Sequence, residues 1–202
     1  MTPSAAPVRK KPRVDRAARR ESYVGIAAAV FLEKGLHAAT MRDIAEAAGA
    51  AKVLFYRLFP SREALVEAVF HRVETAIDEA FEQPWEGYGS TVGRVLETAR
   101  TDPAPFLVVF RNCRASQPDW EARLRIVLAR ISRPLFEPGP DAPAGAEERA
   151  LKASGALFGL FLDSMVTWLE DRDGLTDAER IRWWGRIVRE NRAAGREAYR
   201  LD

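Results

Sequence analysis

The residues able to do chemistry in this chain are few and unevenly placed. One cysteine, Cys113, and two histidines, His37 and His71, stand far apart in sequence. They are too few for a Cys/His zinc site, and a lone cysteine forms no intrachain disulfide. No glycine-rich phosphate loop occurs, and no serine or cysteine sits in a recognisable nucleophile setting. An enzyme has little to stand on, and no metal or cofactor is expected. What remains is a concentration of donors between 40 and 62, namely Thr40, Arg42, Lys52, Tyr56, Arg57 and Arg62, with the apolar Val53 among them. A guanidinium or ammonium matches the acceptor atoms of guanine and phosphate, a phenol donates to phosphate, and an apolar side chain can touch a thymine methyl. Singly, each charge is as readily a solvated surface residue and Tyr56 a core aromatic. Their grouping favours a polyanion.

The charge distribution points the same way. The 202 residues carry a net charge of only +2, yet residues 1–65 hold 12 Lys/Arg against 6 Asp/Glu, and residues 66–202 hold 19 against 23. Clustered cations gain affinity for a polyanion by releasing its counterions. Residues 1–14, with Arg9, Lys10, Lys11 and Arg13 between prolines and alanines, are expected to be a disordered basic arm able to follow phosphates or enter a minor groove. A solubility tail is the plainer alternative.

These donors need rigid elements to position them. Tyr23, Ile26, Ala27, Val30 and Phe31 follow helical spacing in a first helix at about 15–34, and Gly35 stands where a left-handed stop belongs. Thr40 and Asp43 form a capping box for a two-turn helix whose apolar stripe is Met41, Ile44, Ala45 and Ala48. After the turn Ala48-Gly49-Ala50-Ala51 comes a second short helix at 52–58, and Ser61 can cap a long helix through Leu65, Val69, Val73, Ile77 and Phe81. Two short helices about a tight turn, braced by a longer one, make a helix-turn-helix pattern. Beyond Pro84, helices are expected near 90–100, 103–115, 118–136, 146–171 and 177–194, with residues 136–145 irregular. No sheet is expected, because the apolar run 107–110 has no neighbours with period-two alternation.

At this point the chain resembles the TetR family of bacterial transcriptional regulators, through residues 40–65 with Phe31 and Gly35 upstream. The resemblance implies an all-α fold: a three-helix helix-turn-helix DNA-binding head at 15–65, followed by a helical ligand-binding and dimerisation bundle at 66–202. It implies that Arg42 reaches a base edge or phosphate, that Lys52 and Val53 open the recognition helix toward the bases, and that Thr40, Tyr56, Arg57 and Arg62 hold the DNA backbone. Two departures stand out. Ala51 replaces the usual Ser/Thr cap of the recognition helix, and Leu54 and Leu58 occupy positions often polar, so they either pack inward or leave an apolar contact surface on DNA.

The remaining 140 or so residues are enough for a ligand-binding body. A pocket is expected between the 103–115 and 118–136 helices and the front of the 146–171 helix, with Phe106, Phe110, Trp120, Phe158, Phe161 and Trp168 as walls and Asn112, Arg114 and Asp163 as polar anchors. Aromatics at this spacing also serve as ordinary core. The resemblance implies a homodimer through the last two helices, where Gly155 and Gly159 permit close approach. The expected function is a sequence-specific DNA-binding regulator, most simply a repressor released from a palindromic operator in double-stranded DNA by a small apolar or amphipathic effector. The alternatives are a ligand-independent or co-repressed regulator and, in a different class, a helical protein-interaction adaptor. With no apolar stretch of about 20 residues and no signal core, the chain is expected to be cytoplasmic and without a membrane partner.

Overall fold

The structure, a computed structural model, describes residues 16–113 and 117–199, and within them the chain is all helix, with nine helices and no strand. The expected arm at 1–14 and Arg114 lie outside the described residues. The helices are α1 (Arg16–Lys34), α2 (Met41–Ala47), α3 (Lys52–Leu58), α4 (Arg62–Glu82), α5 (Ser90–Thr101), α6 (Pro103–Asn112), α7 (Pro118–Phe136), α8 (Ala146–Leu169) and α9 (Asp177–Ala198). The run 107–110 lies inside α6 and is wholly buried, which explains why it lacks helical amphipathicity. Pro103 and Pro118 occupy first-turn positions, where the missing N–H costs nothing.

The first three helices form a compact head. Gly35 (φ +89°) and Gly49 (φ +55°) take the left-handed conformation that ends α1 and turns α2 into α3. Thr40 and Asp43 make the expected reciprocal cap of α2, while Ala51 leaves α3 with no side-chain cap. Phe31, Ile44, Phe55, Phe59 and Leu65 are almost fully buried between these helices. Each contributes roughly 1.5–3 kcal/mol of apolar burial, enough to hold a seven-residue helix that would not persist alone.

α4 runs without a break across the 65/66 boundary. At 21 residues it is about 30 Å long; it packs on α1 in the head and on α5, α6 and α7 in the body. α1 itself packs on α6, and one apolar core runs from Val24 through to Val188. A smaller cluster, Phe136, Ala146, Ala153 and Leu157, closes the far end of α7 against α8. α8 is long and apolar enough, by length and composition, to cross a membrane, a property the sequence reading did not attribute to it. Half of that stretch is buried, and the helix packs on α5, α6, α7 and α9 as a core helix does.

Arginine staples complete the frame. Arg72 reaches from α4 to Asp102 at 2.8 Å and donates to the Glu21 carbonyl at 3.3 Å, so it joins α1, α4 and the α5–α6 corner. Arg180, only 1% exposed, is surrounded by Asp171, Asp173 and Asp177, and Arg100 shares Oδ1 of Asp171 and Asp177 with it while also binding their Oδ2 atoms. Hydrogen bonds from the two guanidiniums hold these carboxyls below the ordinary aspartate range.

Candidate nucleic-acid interface

α3 buries Phe55 and half-buries Leu58, and its remaining residues face solvent. Val53 is 73% exposed and Leu54 45%. Of the two leucines left open by the sequence, Leu58 therefore packs inward and Leu54 does not. Tyr56 lies edge-on to the buried Phe55, with its ring otherwise exposed and the Lys52 ammonium 5.9 Å from its centre. Arg57 is exposed and makes no ion pair among the described residues. The free face of α3 thus carries two adjacent apolar side chains together with two cations and a phenol.

α2 presents Thr40 and Arg42 beside it. The Thr40 hydroxyl accepts from the Asp43 amide and donates to Asp43 Oδ2 at 2.6 Å, so its polar capacity is largely used within the cap. Arg42 is exposed, with its Nε on Glu46 at 2.8 Å, a pair that a phosphate or base edge can displace at small cost. The Lys34 ammonium lies 2.6 Å from Asp43 Oδ1, and this contact, with the Thr40 donors, holds the Asp43 carboxyl well below its ordinary value.

Arg62 differs from the others. It is half-buried, donates from Nε to the Ala39 carbonyl at 3.1 Å, and lies 5.7 Å from the centre of the Phe31 ring. Its contacts tie the start of α4 to the α1–α2 turn, a structural duty the sequence did not reveal. Arg20, one of the cations near the N-terminus, likewise has a contact within the head: its guanidinium covers the buried Phe59 ring at 5.2 Å.

The body contains a cavity of about 680 Å³, a size suited to a small organic ligand. Its walls come from the end of α4, the 83–89 loop, α5, α7, α8 and α9, with Phe81, Trp85, Tyr88, Leu157, Phe158, Phe161 and Trp184 as main apolar surfaces. Of the expected wall residues only Phe158 and Phe161 line it. Phe106 and Phe110 lie on α6, which is no part of the wall; they, Trp120 and Trp168 are buried core, and Asp163 points to solvent. The expected walls and this cavity differ because residues 105–110 of α6 are all buried, which marks an interior stretch and not a wall. Its polar groups are instead Asp78, Glu82, Gln83, Thr91, Arg125 and Ser154. Arg125 covers the Phe158 ring at 4.8 Å and binds Glu121 at 2.7 Å. Gly155 belongs to this wall, where a Cβ would come within 3.4 Å of Arg125.

A head that presents a cationic, partly apolar short helix on a helix-turn-helix frame defines a DNA-binding transcriptional regulator. Residues 26–69 match the model of the bacterial regulatory proteins of the tetR family, so it is the head that carries the likeness. It is 23% identical over 189 residues to the transcriptional activator FasR of Mycolicibacterium smegmatis, covering 88% of this chain and 86% of that protein. Over 54 residues it is 43% identical to the transcriptional repressor KstR2 of Rhodococcus jostii, spanning 27% of this chain and 26% of that one. Among solved structures, a tetR-family regulator from Streptomyces coelicolor superposes with a TM-score of 0.62 at 21% identity, covering 92% of this chain and 83% of that one. These relatives are regulators, not enzymes.

Proposed function

We propose that the protein is a cytoplasmic homodimer that releases its DNA operator when a small, largely apolar effector fills the α4/α5/α7/α8/α9 cavity. The observation that carries this reading is α4. Its first residue, Arg62, is anchored in the head, and Asp78, Phe81 and Glu82 at its other end line the cavity. A shift of the far end therefore moves the head as a lever. Two heads must reach half-sites on one face of a duplex, so a small change in spacing costs several contacts together. Functionally, the chain divides into a head at 15–65 and a body at 66–202 joined by this helix. In the head, Arg42, Lys52 and Val53 meet bases, while Thr40, Tyr56 and Arg57 meet the backbone. Arg62 supports that surface from behind.

The dimer face is assigned to α8 and α9. Trp184 and Val188 are spent on the chain's own core and cavity, but Trp183 on α9 is 41% exposed, and Ala156 and Asp163 of α8 also face solvent. Whether the result is repression or activation depends on where the operator lies relative to a promoter. One observation favours keeping activation as a second reading: the relative matched along most of the chain is named an activator, whereas the repressor is matched over the head alone.

The test is reciprocal calorimetry. A duplex is selected from a random pool, compounds that release it are found by screening, and each is titrated into protein with and without saturating duplex. Linkage requires that duplex weaken the effector by the same factor as the effector weakens the duplex. A ligand seated in the cavity whose affinity is indifferent to DNA sinks the release mechanism; one that binds more tightly with DNA present identifies a co-regulated variant.

A further inference from the structure

We infer that Val53 and Leu54 form a hydrocarbon reading surface for thymine 5-methyl groups, so that each operator half-site carries an obligatory A·T pair facing the first turn of α3. The inference rests on the DNA-binding assignment and not on the effector. The two side chains are neighbours at the second and third positions of α3, and are 73% and 45% exposed. The first turn of a recognition helix is the part that contacts base edges. With Phe55 pointing inward, the 100° step per residue places Val53 and Arg57 together at the centre of the outward face. Lys52 and Tyr56 lie on one side of that centre and Leu54 on the other.

The chemistry of this face is selective. A valine and a leucine have no donor or acceptor with which to read guanine, adenine or cytosine, and set against a C·G pair they would cover the cytosine N4 donor without pairing it. The thymine methyl is the one apolar feature of the major groove. Single exposed apolar side chains need no explanation. Two consecutive ones at the reading end of a DNA-binding helix, beside Lys52 and with Arg57 and Tyr56 able to hold the backbone, do. A second protein chain is a poor occupant for the same patch, because Lys52 and Arg57 would have to be desolvated against it.

The experiment uses the full chain and a duplex selected from a random pool. Thymines are replaced one at a time by deoxyuridine, which deletes the methyl group and nothing else, and binding is measured at fixed salt. The expected result is a loss of roughly three- to fivefold at one or two positions per half-site, from the apolar area of one methyl group, with little change elsewhere. In Val53→Ala and Leu54→Ala proteins the same replacements lose their effect, whereas in Arg57→Ala protein they keep it. Val53→Thr, which preserves shape on an exposed position, also loses part of the thymine discrimination. Selected sites with G·C at the positions facing α3, or uniform indifference to deoxyuridine in the wild-type protein, overturn the inference while leaving DNA binding intact. Discrimination that persists in both alanine variants overturns it as well.

Discussion

At the scale of single residues, arginines with one name do different work, and the structure separates them. Arg57 is exposed and without an ion pair among the described residues, so Arg57→Ala should leave the melting temperature within about 1 °C and weaken binding to all duplexes by a similar factor. Arg62 is anchored on Ala39 and Phe31, and Arg62→Ala should cost the fold about 1–2 kcal/mol through the lost hydrogen bond and ring contact. Chemical denaturation beside a binding titration distinguishes the two. Arg180 offers a third case. Its removal leaves Asp173 without its guanidinium and Asp171 and Asp177, partly wetted, with Arg100 alone, so Arg180→Ala should cost about 2–3 kcal/mol, below the range for fully buried pairs. The same cluster fixes a pH dependence. Asp171, Asp173 and Asp177 titrate lower folded than unfolded, so the unfolded chain binds more protons between the two values. Their stabilisation is complete above the unfolded value of about 3.9 and is lost as pH falls below it through the folded values. Acid denaturation of Arg180→Ala should accordingly be shallower than that of the wild type.

At the scale of elements, the sequence was most legible where local chemistry decides. The Thr40 and Ser61 caps and the glycine stops located the head helices closely, and first-turn prolines the starts of α6 and α7, because each rule acts within a few residues. The cavity was less legible because its walls come from helices distant in sequence, and aromatic spacing does not say which neighbour a side chain meets. The clearest omission is the meeting of the 83–89 loop with α9. A Cβ on Gly185 would fall 2.4 Å from the Tyr88 carbonyl, and one on Gly89 2.7 Å from the Ile181 carbonyl. Backbone touches backbone there, and no pattern in the chain marks two glycines 96 positions apart as partners. Gly185→Ala should push that loop from α9 at a cost of about 1–3 kcal/mol, and because Trp85, Tyr88 and Gly89 line the cavity it should also change effector affinity, as read by calorimetry. α7 presents a parallel case: Arg123 binds Glu67 and Glu74 on α4 at 2.7 Å and covers Phe70, while Arg125 and Leu128 on the same helix line the cavity. Arg123→Gln should reduce the factor by which effector weakens DNA binding more than it changes either affinity alone.

For the molecule as a whole, the expected assembly is a dimer on a pseudo-palindromic site, since one short helix reads too few base pairs for useful selectivity. Sedimentation that shows a monomer at micromolar concentration, both alone and with duplex, would remove that expectation. The core that runs from Val24 to Val188 adds a further property. Because α1 packs on α6 and Arg72 pins Glu21 to Asp102, the reading part is not a detachable cassette. Anyone who grafts residues 1–65 onto a different sensor body leaves the α6-facing side of α1 without a counterpart and cuts α4 one turn after it begins. A chimera built at that boundary should aggregate or melt early. One that carries α4 to Glu82 and supplies a surface equivalent to α6 has the complement this head requires, so the portable unit in this protein is defined by packing and extends well beyond the segment that touches DNA.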